Sequence, residues 1–314
     1  MNNQTKKLIT IMTPCYNEEE VVEQLYNKVK EVTDSISNYQ FEHLFIDNCS
    51  TDNTVSILKK LADTDKSLKL IVNERNFGHL RSPFYGLLQS EADAVISIVC
   101  DLQDPPEMIP KFLKEWEKGI PLVIGVKTSS AENFLMYRLR CFYYDLLDRY
   151  SDVKQIKNFT GFGLYDKKVI NQLKLVNDPY PYLRGLIAEL GFRRTEIPFH
   201  QPEREKGTTK NNWFTLYDLA ILGFVNHSKV PLRLATLIGT ITGTLSFLGA
   251  LGYFIYKLIY WNRFPVGMAP IAIGLFFISS VQLIFLGIIG EYIGVALTNS
   301  KKRPLVIERE RVNF

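Results

Sequence analysis

Asp101, Gln103 and Asp104 lie close together behind the apolar run Ala94–Val99 and ahead of Pro105-Pro106-Glu107. A carboxylate, an amide and a second carboxylate at one strand end are hard oxygen donors, suited to a divalent cation that would in turn hold an anionic substrate. The run Ala94–Val99, bounded by Asp93 and Asp101, reads as a buried strand. Pro105-Pro106 stops it, because proline cannot donate to a ladder and restricts its predecessor. Taken alone, the same residues also fit a solvated turn after a core strand.

The preceding chain supplies elements that could position such a site. Leu8–Met12 is expected as a first strand, followed by Thr13-Pro14-Cys15-Tyr16-Asn17-Glu18-Glu19-Glu20 and a helical pattern through Val32. An acidic first turn behind a strand makes a ligand shelf at the strand's carboxyl end. Phe41–Ile46 is the second strand, closed by Asp47-Asn48-Cys49-Ser50-Thr51-Asp52, with Ser50, Thr51 and Asp52 as candidate N-caps for a helix over Thr54–Ala62. Leu68–Val72 is the third strand, leading through Arg75, Asn76 and Gly78 to a helix ending near Ser90. Strands separated by helical patterns imply parallel βαβ units, so the expected class is α/β with a mostly parallel sheet. Further on, Leu122–Val126 reads as a strand, Glu132–Tyr150 as an aromatic-rich helix and Arg193–Phe199 as a strand. Between them, the glycines and aromatics of Asn158–Asp166 suggest a tight turn or close backbone approach to a ligand.

The net charge of +4 is too mild to mark a nucleic-acid binder. Four scattered cysteines without a C-x-x-C, and four histidines never at ligand spacing, argue against a zinc site and a disulfide scaffold. Met1–Lys7 is polar and lacks the apolar core of a secretory signal. Residues 234–256 and 267–290 carry no charged side chain, and each run is long enough to cross roughly 30 Å of hydrocarbon. Lys229 and Arg233 precede the first run and Lys301, Lys302 and Arg303 follow the second, against Lys257 and Arg263 between them. The positive-inside bias then predicts a two-span protein of the inner (cytoplasmic) membrane with both termini cytoplasmic. The expected organisation is a cytoplasmic domain over 1–210, an amphipathic interfacial helix region over 211–230, a transmembrane hairpin over 231–297 and a basic cytoplasmic tail over 298–314.

This combination resembles the membrane-anchored polyprenyl-phosphate glycosyltransferases, a family-2 glycosyltransferase domain of GT-A fold followed by two transmembrane helices. The likeness rests on Pro14-x-Tyr16-Asn17-Glu18-Glu19, Asp47 with Ser50-Thr51-Asp52, Asp101-Leu102-Gln103-Asp104-Pro105-Pro106-Glu107, Arg184-Gly185 and Arg204-x-x-Gly207-x-x-Lys210. By resemblance, Pro14, Tyr16, Glu18, Asp47 and Asp101 bind the donor nucleotide. Asp101 and Gln103 ligate Mg²⁺ or Mn²⁺, and Arg81, Arg184, Arg204 and Lys210 receive the acceptor phosphate.

The implied reaction is inverting transfer of a hexose, with glucose from UDP-glucose as the expected donor, to a polyprenyl phosphate at the cytoplasmic membrane face. The product would serve envelope glycans or O-antigen modification, and self-association is expected of such membrane enzymes. A polysaccharide-extending synthase and a membrane-tethered scaffold with a degenerate site are the alternatives. Three departures from the family pattern bear on the choice. Val99 stands where the first acid of Asp-x-Asp is usual, and Asn48 replaces the second acid of a pair. Thr160-Gly161-Phe162-Gly163-Leu164 replaces Gly-Asp-Phe-Arg-Leu, whose Asp is the family's proposed catalytic carboxylate. Asp104 is the candidate substitute for that group, with Arg204 and Lys210 as the catalytic cations. A phosphate monoester that is largely dianionic at pH 7 also needs no strong base.

Overall fold

A computed structural model describes residues 6–128, 156, 158–176, 178–202, 230–260, 268–300 and 303–314. Among the described residues eight strands form one sheet: β1 (Leu8–Cys15), β2 (Gln40–Asp47), β3 (Leu68–Asn73), β4 (Ala94–Ser97), β5 (Leu122–Lys127), β6 (Phe159–Asp166), β7 (Arg194–Phe199) and β8 (Glu308–Val312). Their order is β7-β5-β6-β4-β1-β2-β3-β8. β1 pairs in parallel with β2 and β4, β2 with β3, and β5 with β7. β6 runs antiparallel between β4 and β5, and β8 runs antiparallel along β3. The mostly parallel α/β sheet expected from the sequence is present.

Alternation along the buried strands sends successive side chains to opposite faces, each covered by helices. Phe45 faces the layer of α1 (Val22–Asp34), α2 (Thr54–Thr64) and α4 (Ile109–Glu117). Leu44 and Ile46 face α3 (Gly78–Leu88), α5 (Lys167–Leu175) and α6 (Leu183–Leu190). α4 is not among the elements expected from the sequence, although Pro106 and Pro110 near its start and Ile109, Phe112, Leu113 and Trp116 on one face carry its signature. The expected strand over 94–99 is regular through Ser97, with Ile98 N–H still donating to the Met12 carbonyl, and the expected helix over 132–150 lies outside the described residues.

Two expectations are corrected. The glycine-bearing stretch 158–166 is not a turn but holds the interior strand β6, paired with β4 through Gly163–Asp166 and with β5 around an irregularity between Ile124 and Val126. A Cβ on Gly163 would meet the Val123 carbonyl oxygen at 2.5 Å, so glycine there lets β5 and β6 approach. The terminal segment is not a plain basic tail either, because Glu308–Val312 forms an edge strand of the sheet. Side chains fasten it: Arg311 donates to Gln89, Lys59 pairs with Glu310, and Tyr85 donates to Glu308. Asn313, at φ 62°, donates to the carbonyls of Ala62 at 2.8 Å and Leu68 at 2.9 Å.

A second compact unit contains α7 (Val230–Ile259) and α8 (Met268–Ser300), whereas residues 303–314 belong with the sheet. Among the described residues one window, Phe277–Gly294, is long and apolar enough to cross a membrane, and α7 contributes a shorter apolar stretch, Ala235–Leu245. Threonines dilute α7, but the hydroxyls of Thr236, Thr240 and Thr242 each donate to the carbonyl four residues back. They therefore need no outside partner. Large apolar side chains such as Leu237, Leu245, Leu275 and Leu283 are exposed on both helices. The interfacial-helix residues 211–229 lie outside the described residues.

Replacing Asn313 by Ala removes two bonds to backbone carbonyls and leaves a left-handed residue without its side-chain support. A loss of about 1–3 kcal/mol is expected. The thermal unfolding midpoint of the full-length protein in detergent should fall by several degrees, and an unchanged midpoint would mean that Asn313 does not anchor the end of β8.

Candidate active site

The carboxyl ends of β1 and β2 carry the two loops that resemble a nucleotide cradle, and side chains zip these loops together. Asn17 takes the left-handed conformation at φ 55°; its N–H donates to Ser50 Oγ, and its Oδ1 accepts from Thr51 N–H at 2.7 Å. Glu18 N–H donates to Thr54 Oγ1, and Glu19 N–H to Asp52. Glu19 in turn accepts from Asn53 N–H at 3.0 Å and Nδ2 at 2.8 Å. Asn53 occupies the N-cap position of α2 without a side-chain cap, and Asp52 caps the helix instead by accepting from the Thr54 N–H and hydroxyl. Burial opposes charge on Asp52, but the bonds from Thr54 and Glu19 hold its carboxyl below the ordinary range.

Asp47 ends β2 fully buried, with both carboxylate oxygens accepting from Ser50. Burial pushes its carboxyl up while those bonds pull against the rise. Beside it, Asn48 Oδ1 accepts from Phe77 N–H and Asn73 Nδ2, and its own Nδ2 donates to Asn76 Oδ1 and the Gly78 carbonyl. One amide thus fixes the whole loop after β3. A carboxylate could accept the first pair but not donate the second. Asn17, Asn48 and Asn76 carry this scaffolding, and sequence reasoning assigns none of them a structural role.

After β4 the chain passes through a tight turn with Leu102 at φ 60° and its side chain in the core. Exposure alternates through it: Cys100, Leu102, Asp104 and Pro106 are buried, whereas Asp101 and Gln103 are half-buried. The two expected metal ligands therefore emerge on the same side, with Gln103 N–H donating to Asp101 Oδ1 at 3.2 Å. Asp104 points inward. It is 2% exposed, accepts from Val99 N–H at 3.2 Å, and burial pushes its carboxyl up to about 7. Pro14, near the end of β1, and Tyr16 and Glu18, on the loop after it, stand half-buried.

Asp101 and Gln103 supply one carboxylate and one amide oxygen. No group of three His, Cys, Asp or Glu side chains able to hold a metal occurs among the described residues. That sparse set fits Mg²⁺ or Mn²⁺, which keeps several waters and completes its shell with substrate phosphates. On β6, Gly161 takes φ 105° and its carbonyl accepts from the buried Tyr165 hydroxyl at 2.7 Å. A carboxylate-bearing residue is strained in that conformation, so the missing family Asp is a difference of backbone as well as of side chain.

The expected phosphate-binding cations separate into groups. Arg184 has His79 and Tyr165 as electrostatic neighbours; partial desolvation and the Arg184 charge hold His79 below its ordinary value. Arg81 keeps company with Arg75, Tyr180 and Arg303. Arg204 and Lys210 lie outside the described residues.

The family model "Glycosyl transferase family 2" matches residues 10–173, which span both loops, the Asp101 turn and β6. The chain belongs to glycosyltransferase family 2. A bactoprenol glucosyl transferase of Shigella phage SfV is 33% identical to this glycosyltransferase over 306 residues, 96% of this chain and 99% of that protein. The prophage bactoprenol glucosyl transferase homolog of Escherichia coli K12 is 31% identical over 95% of this chain and 97% of its own length. A solved structure, glucosyl-3-phosphoglycerate synthase from Mycobacterium tuberculosis with Mn²⁺, UDP-glucose and phosphoglyceric acid, is similar with a TM-score of 0.49 at 15% identity. That match covers 68% of this chain and 76% of that one.

Asn48→Asp should place a carboxylate against two acceptors, costing about 1–3 kcal/mol. The expected outcome is a thermal midpoint several degrees lower, with faster proteolysis between Asn73 and Gly78; an unchanged cleavage pattern would remove Asn48 as the organiser of that loop.

Proposed function

We propose that this glycosyltransferase moves glucose from UDP-glucose to a polyprenyl phosphate at the cytoplasmic face of a membrane. The observation that carries the reading is the end-to-end similarity to bactoprenol glucosyl transferases, 33% identity over 96% of this chain and 99% of the phage protein. α7 and α8 are read as two membrane spans. Return of the chain to the sheet as β8 supports an even number of crossings, with both ends of the helix pair on the side of the catalytic domain.

In this reading Pro14, Tyr16 and Glu18 hold the nucleoside, buried Asp47 braces their rim through Ser50 rather than meeting the nucleoside as expected from the sequence, and Asp101 and Gln103 would hold the divalent ion. Bound there, the ion supplies Lewis-acid stabilisation of the charge on departing UDP. Arg184, with Arg204 and Lys210, neutralises the acceptor so that two anions can approach. A phosphate oxygen forms the bond to the anomeric carbon as the bond to UDP breaks. In-line attack inverts an α-linked donor to a β-linked product. The dianionic acceptor needs no proton removed, so Asp104 serves by bracing the turn that presents Asp101 and Gln103.

Full-length protein with UDP-glucose, other nucleotide sugars, undecaprenyl phosphate and Mg²⁺ should yield an organic-extractable product only with the preferred donor. Its mass should correspond to one added hexose. No extractable label with any donor would sink the proposal. Asp101→Asn is expected to lower turnover by roughly two orders of magnitude or more and to weaken Mn²⁺ binding in the presence of UDP, read by electron paramagnetic resonance. Retained Mn²⁺ affinity would remove Asp101 from the metal site.

A further inference from the structure

Arg75, Arg81 and Arg303 gather beside the start of α3; Arg81, expected from the sequence among the acceptor-phosphate cations, has one end of its guanidinium committed to the Pro304 carbonyl. Arg75 lies over the buried Phe77 ring at 4.1 Å from its centroid, and Arg81 over the same ring at 5.6 Å. Arg81 Nη2 donates to the Pro304 carbonyl at 2.6 Å, while its buried Nε has no partner among the described residues. Desolvation and the Arg75 and Arg303 charges hold Arg81 below its ordinary value. Like charges held together in this way are stabilised by an anion.

No acidic side chain among the described residues pairs with these three. Glu74, next to Arg75 in sequence, is paired with Arg309, and Glu308 with Arg311. Arg75 and Arg303 are exposed. Arg303 follows Ser300, the last residue of α8, by three positions, so at most about 11 Å of extended chain separates them. With α8 in a bilayer, as the proposed function holds, Arg303 is tied by three residues of chain to the end of a membrane span.

We propose that Arg75, Arg81 and Arg303 form a binding site for the phosphate of an anionic membrane phospholipid, separate from the donor and acceptor sites. Guanidinium forks suit phosphate oxygens, and Phe77 and the Pro304 carbonyl hold two of the components in place. The proposal rests on the membrane reading of α8, not on which sugar is transferred.

The test compares full-length protein with its Arg75→Gln/Arg303→Gln variant in nanodiscs of phosphatidylcholine with or without phosphatidylglycerol. Lys60→Gln/Lys114→Gln, an equal charge change on exposed sites of α2 and α4, is the control. Native mass spectrometry of released protein should find phosphatidylglycerol retained by wild type and control and reduced roughly tenfold or more in the variant. The KM for undecaprenyl phosphate in pure phosphatidylcholine should stay unchanged. Equal phosphatidylglycerol retention in all three proteins overturns the proposal. So does a variant that keeps phosphatidylglycerol but raises the KM for undecaprenyl phosphate, which would make the cluster part of the acceptor site. Absence of transfer in every disc would count against the proposed reaction alone, because lipid retention is read without turnover.

Discussion

Hydrogen bonds between side chains and backbone across the mouth of the sheet hold the candidate site together. The loops after β1 and β2 have no regular pairing of their own, so their N–H groups must find partners elsewhere. Asn17, Ser50, Asp52, Thr54 and Glu19 provide them reciprocally, and Asn48 does the same for the loop after β3. These side chains are polar, and several can both donate and accept. The consequence is a rigid rim on which half-buried Pro14, Tyr16 and Glu18 are presented.

The parts of the fold with local signals are legible in the sequence. β1 to β4 announce themselves by apolar runs, and the helices between them by their periodicity. The Asp101 turn is legible as a site, but its inward and outward pattern is not, because a left-handed Leu102 has no sequence signature. β8 is hidden for a different reason. Glu308-Arg309-Glu310-Arg311-Val312 has no apolar alternation, and its partners lie more than two hundred residues away, as in the Tyr85–Glu308 bond. β6 is hidden by its glycines, which usually weaken strands but here permit close packing on β5.

The departures from the family pattern are accommodated together rather than singly. Gly163 sits where a side chain would strike the Val123 carbonyl, and Gly161 adopts a conformation that favours glycine. Asn48 uses both ends of its amide, so restoring an acid there would break bonds that the present loop depends on. Reverting one such position to the common residue therefore meets a backbone already shaped around its absence.

β8 also sets an order of events. Its partner strand, β3, is made early, whereas β8 follows both long helices in the chain. During synthesis the outer edge of β3 is consequently an open row of backbone donors and acceptors, the kind of edge that invites wrong pairing. The sheet is closed only after the apolar helices have emerged and the chain has come back. Completion of the catalytic domain is thereby coupled to disposal of the helix pair, and a chain stalled between the two carries an unfinished sheet.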